Sequence, residues 1–256
     1  MTGINYLKYL IFSVCLTASS LVYSAAFQLN DKSAATLGRA NAGTAVSDDM
    51  SVQFWNPAAT TQFEQFGFSV VGSVIRPSNE YDVLRSTRTN QLMIEPVPGN
   101  DSTLGATTFV PSIFAVYPIN DRLVASVGVT MPFGLSTDYG KESKARYFAL
   151  DSSISSVNIN AAIAFKLNEY FSIASGINII KLEAELNQAI NLRVFEGEVD
   201  DVFIYNKGES GWRLGWNMGI LFQSGGSRVG ISWRSGNRHH LTGDSLVKNI
   251  DDELRE

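Results

Sequence analysis

From about residue 65 onward, apolar and polar positions alternate along this chain with a period of two. Val157, Ile159, Ala161, Ile163, Phe165 and Leu167 fall on one side, and Asn158, Asn160, Ala162, Ala164 and Lys166 on the other. Successive side chains of a strand point to opposite faces, so this spacing predicts a strand with one apolar face and one polar or small face. The same alternation runs through Trp212, Leu214, Trp216, Met218, Ile220 and Phe222, interleaved with Arg213, Gly215, Asn217, Gly219, Leu221 and Gln223, and again through Val229, Ile231 and Trp233. Fainter versions cover 66–75, 109–117, 123–131 and 171–180, which makes seven predicted strands.

The connections alternate in length. Pro118-Ile119-Asn120-Asp121, Asn168-Glu169-Tyr170 and Ser224-Gly225-Gly226 carry the chemistry of tight turns, whereas those at about 77–107, 132–152 and 187–209 are long. Such strands, joined alternately by tight turns and long loops, predict an all-β fold, a transmembrane antiparallel β-barrel. Lipid would meet Val157, Ile159, Trp216 and Ile231, and the lumen would hold Asn158, Asn160, Asn217 and Arg234. Tyr170, Phe171, Trp212, Phe222 and Trp233 fall near strand ends, where amphipathic rings settle at headgroup level. A secreted β-sandwich binding module gives the same alternation. Against it, 153–167, 171–186 and 209–223 exceed the ~5–6 residues usual for strands.

Met1 to Ser24 is different in kind: one positive charge at Lys8, a mostly apolar stretch from Tyr9 to Leu16, and small residues at Ser19-Ser20 and Ser24-Ala25-Ala26. This is the layout of a secretory signal. Cleavage fits after Ser24 or after Ala26, the first being preferred. The alternative, a short anchor helix, is disfavoured because the apolar stretch is shorter than the ~20 residues a span needs. Cys15, the single cysteine, lies inside this segment, so an exported chain would carry no thiol, disulfide or Cys-ligated metal. The composition, 45% hydrophobic and 18% charged, excludes disorder, and a net charge of −5 offers no footprint for nucleic acid.

Between the signal and the first strand the alternation disappears. Phe27-Gln28-Leu29-Asn30 is followed by Gly38-Arg39-Ala40 with Gly43, the Asp48-Asp49 pair, and Asn56-Pro57-Ala58. Small residues and turn formers dominate, which describes a compact insert. These elements resemble the N-terminal hatch of the long-chain fatty-acid transporter (FadL) family of Gram-negative outer membranes, which also includes aromatic-hydrocarbon channels of the TodX kind. Similarity continues at Phe133-Gly134-Leu135-Ser136-Thr137, at Ala164-Phe165-Lys166-Leu167-Asn168, from Gly211-Trp212 to Leu221, and at Trp233-Arg234-Ser235, so it covers about 25–244.

The resemblance implies a 14-stranded barrel plugged by the hatch, which takes up long-chain fatty acids or other hydrophobic small molecules across the outer membrane. In that family the ligand is captured by outer loops, passes to an internal site touching the start of the hatch, and leaves sideways at an inward kink of the third strand. On this chain the kinked strand would be 123–134, with Pro132 and Gly134 at its outer end. Ligand contacts would come from Phe27, Phe133, Leu135, Tyr139, Phe148 and Lys181. The family's basic residue on the fifth strand aligns with Glu183, with Lys181 two residues earlier, which favours an uncharged ligand. The implied partners are the hydrophobic ligand, the lipid bilayer and the barrel-assembly machinery. No cofactor or metal is expected.

The resulting division is 1–24 signal, 25–63 hatch, 64–244 barrel wall, and 245–256 a charged tail or the start of a truncated outer loop. Seven strands amount to half of the family's barrel, so the sequence reads as a fragment or a truncated frame. An open sheet in lipid leaves unpaired edge groups at several kcal/mol apiece, and the chain alone is expected not to transport.

Catalytic motifs are absent: no G-x-S-x-G, phosphate-binding glycine loop or H-E-x-x-H occurs, and the two histidines, His239 and His240, are adjacent and would face opposite ways on a strand. An esterase barrel would require one of them within ~3 Å of a serine on a neighbouring strand. Asp48-Asp49, flanked by Ser47 and Ser51, reads as a turn or cap in preference to a metal pair. The expectation is a transporter, not an enzyme, with a general outer-membrane channel as the alternative. An open channel would pass ions freely, whereas a plugged one would not.

Overall fold

The computed structural model describes residues 28–46, 49–80, 82–90, 93–100, 103–104, 107–192 and 201–249. The signal segment, Phe27 and Asp48 lie outside the described residues. Two one-turn helices, α1 (Ala34–Leu37) and α2 (Val52–Trp55), and a 3-10 turn (Pro57–Gln62) form the hatch. Ser33 caps α1 by accepting from Thr36 N, and Asn56 caps the 3-10 turn by accepting from Ala58 N, with Pro57 in the first position, where its missing N–H costs nothing.

The strands are, in chain order, β1 (Gly67–Ile75), β2 (Asn79–Glu80), β3 (Thr87–Asn90), β4 (Met93–Pro96), β5 (Thr103–Leu104), β6 (Thr108–Pro118), β7 (Leu123–Thr130), β8 (Gly134–Asp138), β9 (Asp151–Lys166), β10 (Phe171–Ile190), β11 (Val202–Ser210), β12 (Arg213–Ser224), β13 (Ser227–Arg234) and β14 (Leu241–Asn249). One antiparallel sheet runs β1, β6, β7, β9, β10; beyond it β12 pairs with the first half of β10 and β11 with the second, while β13 lies on β12 and β14 on β11. The sheet is thus a wall of seven strands, of which the third (β7 with β8), the sixth (β12 with β11) and the seventh (β13 with β14) are interrupted. The short pairs β2–β5 and β3–β4 belong to the long connection after β1. Neither β1 nor the seventh strand has a second neighbour among the described residues, so the sheet is open there.

The wall extends past the boundary at residue 244 that the sequence suggests. Thr242 to Asn249 pair with Val202 to Glu209, because β11 offers them a free ladder edge. The expected tail therefore begins as strand.

The two faces are inverted relative to a water-soluble sheet. Phe68, Val70, Ile113, Ile163, Ile177, Leu214, Trp216 and Ile231 are exposed, while Ser126, Thr130, Ser156, Asn158, Asn160, Asn178 and Asn217 are buried beneath the hatch. Each large apolar side chain left in water forgoes ~1.5–3 kcal/mol of burial, so this face requires hydrocarbon as its solvent. A sandwich would need a second sheet over that face, and none covers it among the described residues. No described helix is long and apolar enough to cross a membrane.

The tight turns all lie at one end. Asn120 Oδ1 accepts from Arg122 N and Leu123 N, both at 2.9 Å, and Asn168 Oδ1 accepts from Tyr170 N and Phe171 N, both at 2.8 Å. Gly225 supplies the positive φ of 58° that closes β12 onto β13.

Candidate functional site

The hatch is bonded to the wall across almost its whole width. Asn56 is completely buried, and its Nδ2 donates to Thr44 O at 2.8 Å within the hatch and to Ile220 O of β12 at 3.0 Å. Gln53 Nε2 donates to Asn160 Oδ1 of β9, Thr61 Oγ1 to Ser172 Oγ of β10 at 2.8 Å, Ser73 Oγ of β1 to Asp31 O at 3.2 Å, and Arg234 Nη2 of β13 to Phe54 O at 2.9 Å. Glycine in the wall makes room for this. A Cβ at Gly219 would collide with the Asn56 side chain and lie 3.1 Å from Ala58 N.

The remaining hatch residues named from sequence shape the insert internally. Gly38 ends α1 and donates to Ala34 O at 2.9 Å; Arg39 N donates to Thr36 O at 3.1 Å; a Cβ at Gly43 would press on the Trp55 ring at 2.8 Å. Asp49 Oδ1 accepts from Ser51 N at 2.7 Å, a turn contact.

The third wall strand breaks at Met131-Pro132-Phe133. Thr130 pairs with Asn158 and Gly134 with Ser155, so three residues stand opposite two, a bulge. Its carbonyls are taken by the hatch and by β9: Lys32 Nζ donates to Met131 O at 2.8 Å, Leu29 N to Pro132 O at 2.7 Å, and Ser156 N to Phe133 O at 2.9 Å. Beyond the break β8 pairs with β9 but not with β6. A Cβ at Gly134 would lie 3.3 Å from Leu29 and 3.5 Å from Val110, whose side chain is buried on the luminal side, so β8 runs over the inner side of β6. Thr108 to Pro111 are thereby left with β1 as their only ladder partner among the described residues, and Pro111 has no N–H to offer.

Beside this gap is a cavity of about 310 Å³ whose apolar lining includes Pro77, Phe133, Leu135, Ile154 and Leu186, with Ser and Thr hydroxyls and no charged group among the described residues. Leu135 pairs directly with Ile154, and Ile154 with Ala184, which places them on the face of Asn158 and Asn178, the lumen. Tyr139 and Phe148 are not in its lining: Tyr139 N bonds Leu150 O at 2.8 Å, and Phe148 is 85% exposed. Lys181 shares the parity of Ile177 and Ile179, which is outward, and is held by Glu209 at 2.7 Å and Glu183 at 3.3 Å. It has no luminal reach.

Sequence reasoning missed Lys32 and the Phe54 ring, although a lone lysine in a small-residue insert is a usable signal. It also missed the clamp of the outer loops. There Arg146 Nε meets Asp201 Oδ2 at 2.7 Å, Arg146 Nη1 donates to Pro98 O at 2.7 Å, and Tyr147 OH donates to Asp201 Oδ1 at 2.6 Å. Burial and then the Asp201 bond push the Tyr147 hydroxyl above its ordinary value.

His239 Nδ1 stands 3.0 Å from Ser210 Oγ, the distance an esterase would need. That oxygen is buried and already accepts from Leu182 N at 3.0 Å, and no carboxylate bonds the ring among the described residues, so the pair closes a strand junction. No cluster of three or more His, Cys, Asp or Glu suited to a metal occurs among the described residues.

A wall with its apolar face outward, an amide-lined inner face and a hatch bonded across it defines a plugged outer-membrane barrel. The family of outer membrane transport proteins (OMPP1/FadL/TodX) matches residues 15–254, and the chain belongs to it. It is 26% identical over 259 residues to Outer membrane protein P1 of Haemophilus influenzae, covering 88% of this chain and 56% of that protein. It is 28% identical over 247 residues to a long-chain fatty acid transport protein of Escherichia coli O6:H1, covering 88% and 53%. Its fold is similar to that of a Pseudomonas aeruginosa FadL homologue, with a TM-score of 0.74 at 21% identity, covering 91% of this chain and 57% of that one. The Ralstonia pickettii toluene transporter TbuX gives 0.60 at 16%, covering 82% and 59%. The chain spans about half the length of the curated relatives it matches. Family membership puts it in the outer membrane of a Gram-negative bacterium, and its relatives are transporters.

Proposed function

We propose that this chain forms the hatch and seven wall strands of an outer-membrane protein that takes up hydrophobic small molecules, long-chain fatty acids or hydrocarbons, and releases them sideways into the bilayer. The observation that carries this reading is the break in the third strand. The ladder between β6 and β8 is lost there, an apolar cavity adjoins the gap, and the carbonyls at the break are bonded by Lys32 and Leu29 of the hatch. A ligand in that cavity has lipid, not water, on the far side of the wall. Phe133 and Leu135 line its resting place, and outer-loop aromatics such as Phe148 belong to the path before it.

A hatch bonded to six of the seven wall strands by side-chain or main-chain hydrogen bonds also argues against a general solute channel. Transport needs a closed wall, because unpaired strand edges in hydrocarbon cost several kcal/mol per group. The protein consequently depends on the assembly machinery that closes and inserts barrels.

The test is uptake of labelled oleate and toluene by cells that lack their own transporter and express the full-length protein, alongside its conductance in planar bilayers. Restored uptake with little ion current supports the reading. High current without uptake would replace it with the channel.

A further inference from the structure

Between the hatch and the sixth and seventh wall strands lies a second cavity, about 190 Å³, distinct from the apolar one at the kink. Phe54, Trp55, Pro57, Asn217, Trp233 and Arg234 line it. Gln28 and Ser232 also line it, and its one charged group among the described residues is Arg234. Arg234 Nη2 donates to Phe54 O at 2.9 Å and the guanidinium lies 4.6 Å from the Phe54 ring centroid, yet no carboxylate is within ion-pair distance of it among the described residues. Lys32, which feels the Asp31 carboxylate but forms no ion pair with it among the described residues, sits 5.4 Å from the same ring and adds a second positive charge nearby.

Asn217 is directly opposite Arg234 in the β12–β13 ladder, so the two side chains share the luminal face. The amide orientation follows from its neighbour. Asn160 Nδ2 donates to Asn217 Oδ1 at 3.4 Å, which turns the Asn217 NH₂ away from Asn160, where it is buried with no acceptor. Asn160 is itself fed by Gln53, so a chain of amides from the hatch ends on an unused donor. Trp55 Nε1, on the same cavity, is likewise buried without an acceptor. Buried donors are ordinarily paired, and a buried cation is ordinarily neutralised.

We propose that this cavity binds a carboxylate, the head of an amphiphilic acid, with Arg234 and Asn217 as its donors and the ring of Trp55 against the first carbons. A carboxylate satisfies these groups together: it accepts from the guanidinium and the amide at once and brings the counter-charge that the described residues do not supply. Among the described residues the lining has no Asp or Glu to repel it, and aromatic walls suit an alkyl stem. The site deepens the uptake reading and rests on it, since it assigns the acid-recognising groups to the hatch–wall boundary, while Lys181 is engaged by glutamates.

The test uses the full-length protein in dodecyl maltoside, titrated calorimetrically with octanoate and with 1-octanol, which have equal chains and differ in the head. The unmodified protein is expected to bind octanoate at least tenfold more tightly than octanol. Asn217→Asp places a carboxylate beside Arg234 while keeping the acceptor for Asn160, and should remove the preference with octanol binding unchanged. Ser232→Glu, on the same cavity, should do the same and serves if the first variant loses its heat-modifiable mobility. Equal binding of the two probes, or a preference that survives both substitutions, would overturn the carboxylate site and leave hydrophobic uptake standing. Binding of neither would overturn both.

Discussion

The third wall strand breaks between Thr130 and Gly134, and the sixth and seventh break together, between Ser210 and Arg213 and between Arg234 and Leu241. The two interruptions are closed by different partners. At the first, the carbonyls of Met131 and Pro132 are held by Lys32 and Leu29, which belong to the hatch. At the second, the wall closes on itself: Ser235 N donates to Trp216 O at 2.9 Å, Trp216 N to Ser235 Oγ at 2.9 Å, and Ser210 Oγ takes Leu182 N and His239. Trp216 and Trp233 also pack across that junction, their centroids 4.1 Å apart and their rings tilted by 42°. A gap bonded by a separate insert opens when the insert shifts, whereas a gap bonded within the sheet opens only if the sheet comes apart. On the uptake reading proposed above, the first serves as a gate and the second as a seam.

The largest effect expected is from Gly219→Val, which drives a side chain into Asn56 and against Pro57. The three bonds of Asn56 to Thr44, Ile220 and Ala58 are then lost, about 2–4 kcal/mol at ~1 kcal/mol each. That raises the undocked hatch population ~30-fold or more. Conductance in planar bilayers should rise accordingly, and an unchanged current would mean that the hatch does not rest on this contact.

Lys32→Met removes the charged donor at Met131 O but keeps the length of the side chain, a loss of ~1.5–3 kcal/mol confined to the gate. Hydrogen exchange at the Leu29 amide, which is bonded to Pro132 O, should accelerate ~10-fold or more. Equal protection would show that the lysine is not part of the closure.

At the seam, Ser235→Ala loses one bond to Trp216 N, ~1 kcal/mol. The unfolding temperature should fall by a few degrees with uptake unaltered. Reduced uptake in a normally folded variant would erase the distinction between gate and seam.

The smallest expected effect lies in the outer loops. Tyr147 has its hydroxyl pushed above 10.0 by burial and by Asp201, so the fold favours the neutral form. Its contribution is whole below the unfolded value and is lost as pH rises through the folded one. Limited proteolysis of the outer loops should quicken at strongly alkaline pH, and Tyr147→Phe should remove that dependence without affecting the hatch.

The strands were legible because lipid and lumen impose a strict period of two, and Val157 to Leu167 keeps it without exception. The breaks were less so. Pro132 announces its own, since a missing N–H must interrupt a ladder, but nothing in Gly211-Trp212 or in 235–240 distinguishes an interrupted strand from a loop. The extension of the seventh strand to Asn249 was hidden for a similar reason, because its pairing is decided by β11 rather than by its own mixed pattern. Hatch residues were found by resemblance, not periodicity. Their contacts are long-range, as with Asn56 and Ile220, and leave no local spacing to read. The outward direction of Lys181 followed from parity with Ile177 and Ile179 and could have been derived from the alternation alone.

The gap between β6 and β8 can be locked directly. A Cβ at Gly134 would lie 3.5 Å from the Val110 side chain, close enough for a disulfide between Val110→Cys and Gly134→Cys. In the full-length protein, oxidation is predicted to abolish uptake of labelled oleate and toluene, and reduction to restore it, with the barrel folded throughout. Undiminished uptake from a fully cross-linked protein would show that the ligand does not leave through this gap.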